Sequence, residues 1–391
     1  MTSKKRGLPK KIVKIGFISL FTDMSSEMIY PLLPVFLMSL PGGGPFALGV
    51  IEGIAESTAS FLKLVSGIWS DRVKQRSPFI ITGYGMASLV RPLIAFASVW
   101  PVVLVFRFID RVGKGLRSSP RDALIADSTS ADRRGAAYGF HRMMDHSGAV
   151  AGPAIAAVLM GFLGFSIRQV IMFAAVPSVI VIAIVSTLRD DTKPGTGKEK
   201  ASSIEKRETT HDYRLFLSAV LVFTLGNSSD AFLLMSLSYA GIGAQYLALL
   251  WSLHHIVKIL GAWFGGKTSD LFGRKALMFV GFGLYALIYM AFGIIDSKLL
   301  LMGFFIFYGL SIGILEPTER AWVSELSSAG KRGSAFGFYH AAKGFGALPA
   351  SLLFGFLWHQ FGRFSAFFTG AGLAVAAAVI LCFAGNNVLK K

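Results

Sequence analysis

Apolar residues fall in long runs separated by short polar breaks. Twelve runs can be read: 12–38, 46–70, 78–98, 101–126, 136–161, 168–188, 213–238, 244–267, 275–295, 299–325, 334–358 and 363–385. Each reaches the roughly 20 residues that a helix needs to cross a hydrocarbon core about 30 Å thick. The breaks are turn-like, Pro41-Gly42-Gly43-Gly44-Pro45 and Pro101 among them, as helices reversing at a membrane surface require. One break differs. Residues 189–212 carry Lys193, Pro194, Gly195, Gly197, Lys198, Glu199, Lys200 and a Ser/Thr-rich continuation, the composition of a solvated linker. The pattern predicts an all-α membrane protein of twelve transmembrane helices. An amino-terminal six-helix bundle (1–188) and a carboxy-terminal one (213–391) are joined by a cytoplasmic linker.

Composition agrees with that picture. Of 391 residues, 53% are hydrophobic and 16% charged, with a mean hydropathy of +0.59. Soluble domains carry about 25% charged residues, so a soluble enzyme is excluded. The single Cys382 cannot form an intrachain disulfide. The basic start Lys4-Lys5-Arg6 leads into a run long enough for a helix, without a small-residue cleavage site, so no cleavable signal peptide is expected.

The net charge of +17 raises the question of a nucleic-acid partner, and its distribution answers it. Alternate ends hold Lys4, Lys5, Arg6, Lys10, Lys11 and Lys14; Arg72, Lys74 and Arg76; Arg133 and Arg134; the basic residues from Arg189 to Arg214; Lys267, Arg274 and Lys275; Lys331, Arg332, Lys390 and Lys391. The opposite ends hold only Arg168, Lys298 and Arg363. This is the positive-inside pattern, and it puts both termini in the cytoplasm. No basic stripe with interleaved aromatics for stacking bases is present, so nucleic acid is excluded as a partner.

The two halves repeat. Gly135-Ala-Ala-Tyr-Gly-Phe-His141 recurs as Gly333-Ser-Ala-Phe-Gly-Phe-Tyr339, a shift of 198. Phe21-Thr22 with Ser25-Ser26-Glu27 is echoed by Phe223-Thr224 with Ser228-Ser229-Asp230, and Gly67-Ile-Trp-Ser-Asp71-Arg72 by Gly266-Lys-Thr-Ser-Asp270-Leu271. Parallel repeats of this kind put a substrate site near the midplane at the repeat interface and suit alternating access.

The stretch Gly266-Lys-Thr-Ser-Asp270-Leu-Phe-Gly273-Arg274-Lys275 resembles the loop signature of the major facilitator superfamily. Gly67 to Arg76 is a looser copy, with Lys74 and Gln75 where Gly and Arg are usual. Arg111-Val-Gly-Lys114-Gly115 resembles that superfamily's fourth-helix motif. Gly148-Ala-Val-Ala-Gly152-Pro153 resembles the fifth-helix motif of its proton-linked antiporters, the drug and metabolite efflux branch, although Ala156-Ala157 replace the usual Gly-Gly. Pro31-Leu-Leu-Pro34 also fits. The resemblance covers essentially the whole chain. It implies an inner-side latch in which Gly67, Asp71, Arg72, Arg76 and Asp127, with Gly266, Asp270, Arg274 and Glu325, gate the transporter. Gly152-Pro153 would kink the fifth helix and limit proton leakage. From the residues alone, the glycines allow close helix approach, and Asp71 and Asp270 can accept from an adjacent helix N-terminus.

Charges inside a membrane are costly and mark pathways or pairings. In the fourth segment Arg107, Asp110, Arg111, Lys114, Arg117 and Arg121 fall within an arc of about 120° at 100° per residue. Arg suits carboxylate and phosphate geometry, so Arg107, Arg111 and Lys114, with Arg142, Tyr30 and His255, are candidate substrate contacts. Internal ion pairs with Glu52, Glu56, Asp110 and Asp145 are the competing role. Arg117 and Arg121 suit a gate or headgroup contacts. Buried carboxylates are natural proton carriers: Asp23, Glu27 and Asp230, and Asp145 beside His146, are the coupling candidates. A divalent-cation site from Asp23, Glu27, His146 and His340 is opposed by the intramembrane cations. Neither a nucleophile elbow nor a full phosphate loop is present, so no enzyme and no cofactor is expected.

The sequence thus predicts a secondary transporter in a prokaryotic plasma membrane, a monomer that exchanges protons for a small organic anion or zwitterion and exports it. The alternatives are a proton symporter importing an organic anion and a non-transporting sensor or lipid-handling protein.

Overall fold

The computed structural model describes residues 8–73, 75–129, 134–188, 211–326 and 332–384, and every regular element among them is helical. Proline sets several boundaries, because it lacks an N–H and drives its predecessor out of the α region. Helix α1 (Lys10–Ile29) therefore gives way to a 3-10 turn at Tyr30–Leu32 before α2 (Leu33–Met38). Pro45 occupies the first position of α3 (Pro45–Val73), where its missing donor costs nothing. After α4 (Ser77–Val90), Pro92 turns the chain into a 3-10 segment, Arg91–Phe96. Then come α5 (Trp100–Asp127) and α6 (Arg134–Gly161), each continuous through an internal proline, Pro120 and Pro153. A capping box at Ser166 and Gln169 opens α7 (Ile167–Phe173), and α8 (Ala175–Val185) follows.

From residue 211 onward, α9 (His211–Gly226) and α10 (Ala231–Tyr239) flank a non-helical break of four polar residues, Asn227, Ser228, Ser229 and Asp230. Next are α11 (Ala244–Phe272), α12 (Arg274–Ile294), α13 (Lys298–Leu326) and α14 (Arg332–Cys382). Gly362 interrupts α14 with φ of 82°, in the left-handed region that glycine enters without steric cost.

Seven of these stretches are long and apolar enough to cross a bilayer: Ser77–Phe96, Ile167–Val185, His211–Tyr239, Ala244–Gly265, Arg274–Ile294, Lys298–Leu326 and Ala335–Cys382. Large apolar side chains lie exposed along the helices, Leu89, Leu299 and Phe345 among them. On a water-soluble surface such faces would be a liability; against lipid tails they carry no penalty.

The chain forms two compact units. The first comprises the described residues within 1–29, 58–97 and 101–201. In it α1 lies along α6 and α8, and α4 packs on α8. Its core gathers Ile12, Ile15, Ile18, Ile80, Tyr84, Leu124, Ile125 and Val181. Glycines permit the closest approach. A Cβ on Gly83 of α4 would sit 2.5 Å from the carbonyl oxygen of Gly113 in α5, and the converse holds for Gly113. The second unit comprises the described residues within 30–57, 98–100 and 202–391. There α11 pairs with α13, α9 with α14, and α12 with both α13 and α14. Its interior is aromatic: Phe223 stacks on Phe282 at 4.5 Å, and Tyr285 on Tyr289 at 4.1 Å.

Candidate functional site

The charged stripe of α5 faces protein. Arg107, Asp110, Arg111 and Arg117 are all buried, and Lys114 and Arg121 are partly buried. Asp110 is the centre of the group. Its carboxylate accepts from Arg91 Nε at 2.8 Å and has Arg107 and Arg111 at 3.8 Å each. Arg91, at the 3-10 turn that Pro92 creates, also donates to the carbonyl of Thr22 in α1 at 2.8 Å. Three guanidinium groups thus converge on one acid, and the geometry ties α1, the end of α4 and α5 together. Arg117 has a different setting: its guanidinium lies over the Tyr84 ring, 4.4 Å from the centroid, in a cation–π arrangement.

On the same unit, Asp23 lies within electrostatic reach of Glu27, Asp145, Lys114 and Arg117. Asp145 accepts from the hydroxyl of Ser19, and His141, one turn earlier on α6, places Nδ1 3.4 Å from it. His146, the expected companion of Asp145, is partly buried on the same helix, and Arg142 is exposed. Gly152 gives α6 room against α1, since a Cβ there would meet the backbone of Met24. Helix α6 runs on through Pro153 without an interruption.

The second unit holds the remaining candidates in a hydrogen-bonded network at the α9–α10 break. Tyr30 and Ser229 share a hydrogen bond of 3.0 Å, and Ser229 donates to Glu52 at 3.2 Å. Asp230 accepts from Tyr308 at 2.6 Å, and Ser228 and Tyr289 pair at 3.3 Å. The Tyr30 ring packs 5.0 Å from Trp251, whose indole in turn meets His255 edge-on at 4.9 Å. Further along α13, Glu319 accepts from Tyr339 at 2.6 Å and from Lys343 at 2.7 Å. Glu316 bridges Arg320 at 2.6 Å and Lys258 at 3.6 Å.

At the helix ends, Arg76 pairs with Asp71 and, at 3.5 Å, with Asp127; Arg274 meets Glu325 at 2.8 Å. The described partner of Asp71 is therefore a side chain, where the sequence pattern suggested helix-end amides, and Arg72 is exposed. A Cβ on Gly67 would lie 3.3 Å from Cβ of Ser119, a tight contact in which the neighbour must give slightly. The side chains at Gly266 and Asp270 lie outside the described residues.

Sequence reasoning passed over Arg91 and Tyr308, and although Ser19 shares the Asp23–Glu27 side of the first helix, its bond to Asp145 was not foreseen. Arg91 carried a usable signal, a lone cation inside an apolar run. Tyr308 carried none, because a hydroxyl in a membrane helix is unremarkable until its partner is known.

Comparison with known proteins fits this helical, charge-bearing interior. The family model of the Major Facilitator Superfamily matches residues 15–252 and 215–390. The chain belongs to the major facilitator superfamily. An MFS-type transporter of Methanocaldococcus jannaschii is 30% identical over 384 residues, 97% of this chain and 96% of that protein. The multi-drug resistance efflux pump PmrA of Streptococcus pneumoniae is 24% identical over 376 residues, 92% of each. Among solved structures, the nucleoside transporter NupG shares the fold with a TM-score of 0.76 at 14% identity, over 95% of this chain and 99% of that one. The protein is thus an integral multi-pass membrane transporter of the superfamily, not an enzyme, and its cargo is a small molecule.

Proposed function

We propose that this transporter moves a small organic molecule of negative or mixed charge by alternating access, in exchange for protons and in the outward direction. The observation that carries the reading is the convergence of Arg91, Arg107 and Arg111 on the single carboxylate of Asp110. Buried arginines in a membrane interior mark substrate pathways or pairings, and their planar donors match carboxylates. Asp23, Glu27, Asp145 and Asp230 are the proton carriers of this scheme. Export is supported by the similarity to PmrA, an efflux pump.

The twelve-span, two-bundle topology with cytoplasmic termini belongs to the same proposal. The less apolar helices are α1 with α2, α3, α5 and α6, each of which carries several charges, and Ala335–Cys382 spans 48 residues, enough to cross twice around Gly362. Bacterial and archaeal relatives support a prokaryotic plasma membrane, and a monomer suffices for the mechanism. In it the Arg76–Asp127 and Arg274–Glu325 pairs latch the cytoplasmic side.

A second reading, uptake of an organic anion together with a proton, is favoured by one observation: the Lys343–Glu319 pair. Purified protein in proteoliposomes separates the two. Under an imposed pH gradient, exchange moves substrate against the proton flux and co-transport moves it with the flux. Glu27→Gln abolishes the pH-driven component in the exchange scheme while leaving the protein in the membrane; unaltered coupling rejects that assignment.

A further inference from the structure

We propose that Lys343 is an anchor for the carboxylate of an organic anion, and that Glu319 is its built-in competitor, removed by protonation. The proposal deepens the co-transport reading and rests on it. Glu319 is 1% exposed, and both of its described hydrogen bonds fall on one oxygen, Oε2, which accepts from Tyr339 and Lys343. The other oxygen, Oε1, is buried with no hydrogen-bond partner among the described residues. A buried carboxylate oxygen left in that state is costly, and a proton placed there removes the negative charge from the buried site.

Lys343 is placed to serve a second acceptor. Its side chain remains 35% exposed, although its helix lies in a membrane. Phe338 and Phe345 mark the lipid-facing side of α14. Lys343 points about 140–160° away from both at 100° per residue. An ammonium does not face hydrocarbon, so the exposed part of Lys343 meets water. In the structure this ammonium holds a carboxylate, that of Glu319, which identifies the chemical class of a ligand able to replace it.

The repeat supports a functional origin. Counting back 198 residues from Glu319, Tyr339 and Lys343 gives Arg121, His141 and Asp145. The frame is the same and the charges are exchanged, so the pair is not a generic support required at this point of the repeat.

The charged and titratable groups around Glu319 are Tyr339, His340 and Lys343 from α14, and Glu316 and Arg320 from its own helix. Lys258 from α11 bonds to Glu316. The tyrosines of α12 meet α13 at Tyr308, about three turns away. In the empty state the Glu319 side chain occupies Lys343; being tethered, it outcompetes a free carboxylate. A proton from water adds to Oε1, the acid becomes neutral, and the ammonium is released to the ligand. Loss of the proton restores the pair and expels the anion. Proton and carboxylate therefore bind this site together, as the co-transport reading requires and the exchange reading does not.

The test uses full-length protein in detergent, with sodium benzoate as probe and choline chloride at equal ionic strength as control, read as a shift in melting temperature at pH 6 and pH 8. Wild type is expected to bind benzoate more tightly at pH 6, by roughly tenfold or more for a charge-assisted contact. Glu319→Gln binds equally at both pH values, and Lys343→Gln at neither. The Glu319→Gln/Lys343→Gln double variant removes both charges and guards against misfolding of either single variant; it binds no benzoate. Absence of benzoate binding by wild type, retained binding in Lys343→Gln, or a retained pH dependence in Glu319→Gln overturns the proposal. If these binding results hold while proteoliposomes show no co-transport of benzoate with protons, the site stands and the co-transport reading fails.

Discussion

Arg91 and Asp110 meet at 2.8 Å with side chains only 4% and 2% exposed, an ion pair shut inside the first unit. Desolvating two charges is expensive, and removing one partner leaves the other uncompensated at a cost of about 3–5 kcal/mol. Because Asp110 also faces Arg107 and Arg111, Asp110→Asn strands three cations at once. We expect Asp110→Asn to lower thermal stability in detergent by about 3–5 kcal/mol. A loss under about 1 kcal/mol would mean the pair is not structural.

Arg111→Gln has the opposite profile. The acid keeps Arg91 at hydrogen-bonding distance, so the fold survives, with a loss of about 1–2 kcal/mol from one weaker charge contact. Flux of anionic substrates in proteoliposomes is expected to fall by about tenfold or more, as for any lost charge-assisted substrate contact. Normal flux from a folded Arg111→Gln protein removes Arg111 from the substrate path.

These two residues show what the sequence could and could not disclose. The α5 stripe was legible because 100° periodicity turns spacing into direction, and its burial follows from the cost of charge in lipid. The helical runs and their proline breaks were legible for the same local reasons. Partnership was not. That Asp110 takes its shortest contact from Arg91, that Ser19 and His141 share Asp145, and that Tyr308 reaches Asp230 all depend on how helices pack. Nothing in the spacing along one helix encodes the rotation of its neighbour.

Helix packing itself gives a sharp comparison within α4. Gly83 has the Gly113 carbonyl 2.5 Å from a would-be Cβ, whereas Gly85 has nothing within 4 Å. Gly83→Ala forces the two helices apart and is expected to cost about 1–3 kcal/mol. Gly85→Ala removes a flexible residue from a helix interior and stabilises by about 0.5–1 kcal/mol. Thermal unfolding of both variants checks the pair, and equal effects would refute the close α4–α5 contact.

The Arg274–Glu325 pair lies partly in solvent, with side chains 16% and 33% exposed. Screening limits such a pair to less than about 1 kcal/mol of stability, so its value has to be sought in transport kinetics. If it latches the cytoplasmic side, Arg274→Gln and Glu325→Gln should each alter the initial flux rate severalfold while the melting temperature barely moves. The effects should not add in the double variant, because both remove one interaction. The charge swap Arg274→Glu with Glu325→Arg recreates the attraction with its direction reversed, and it should recover most of the wild-type rate. Additive single effects, or a swap no better than its worse parent, would leave the pair as a surface contact. Repeating the cycle at high ionic strength adds an independent check, since solvent-exposed pairs weaken as the Debye length shortens. Salt should then move the wild-type rate toward that of the double variant and leave the double variant unchanged.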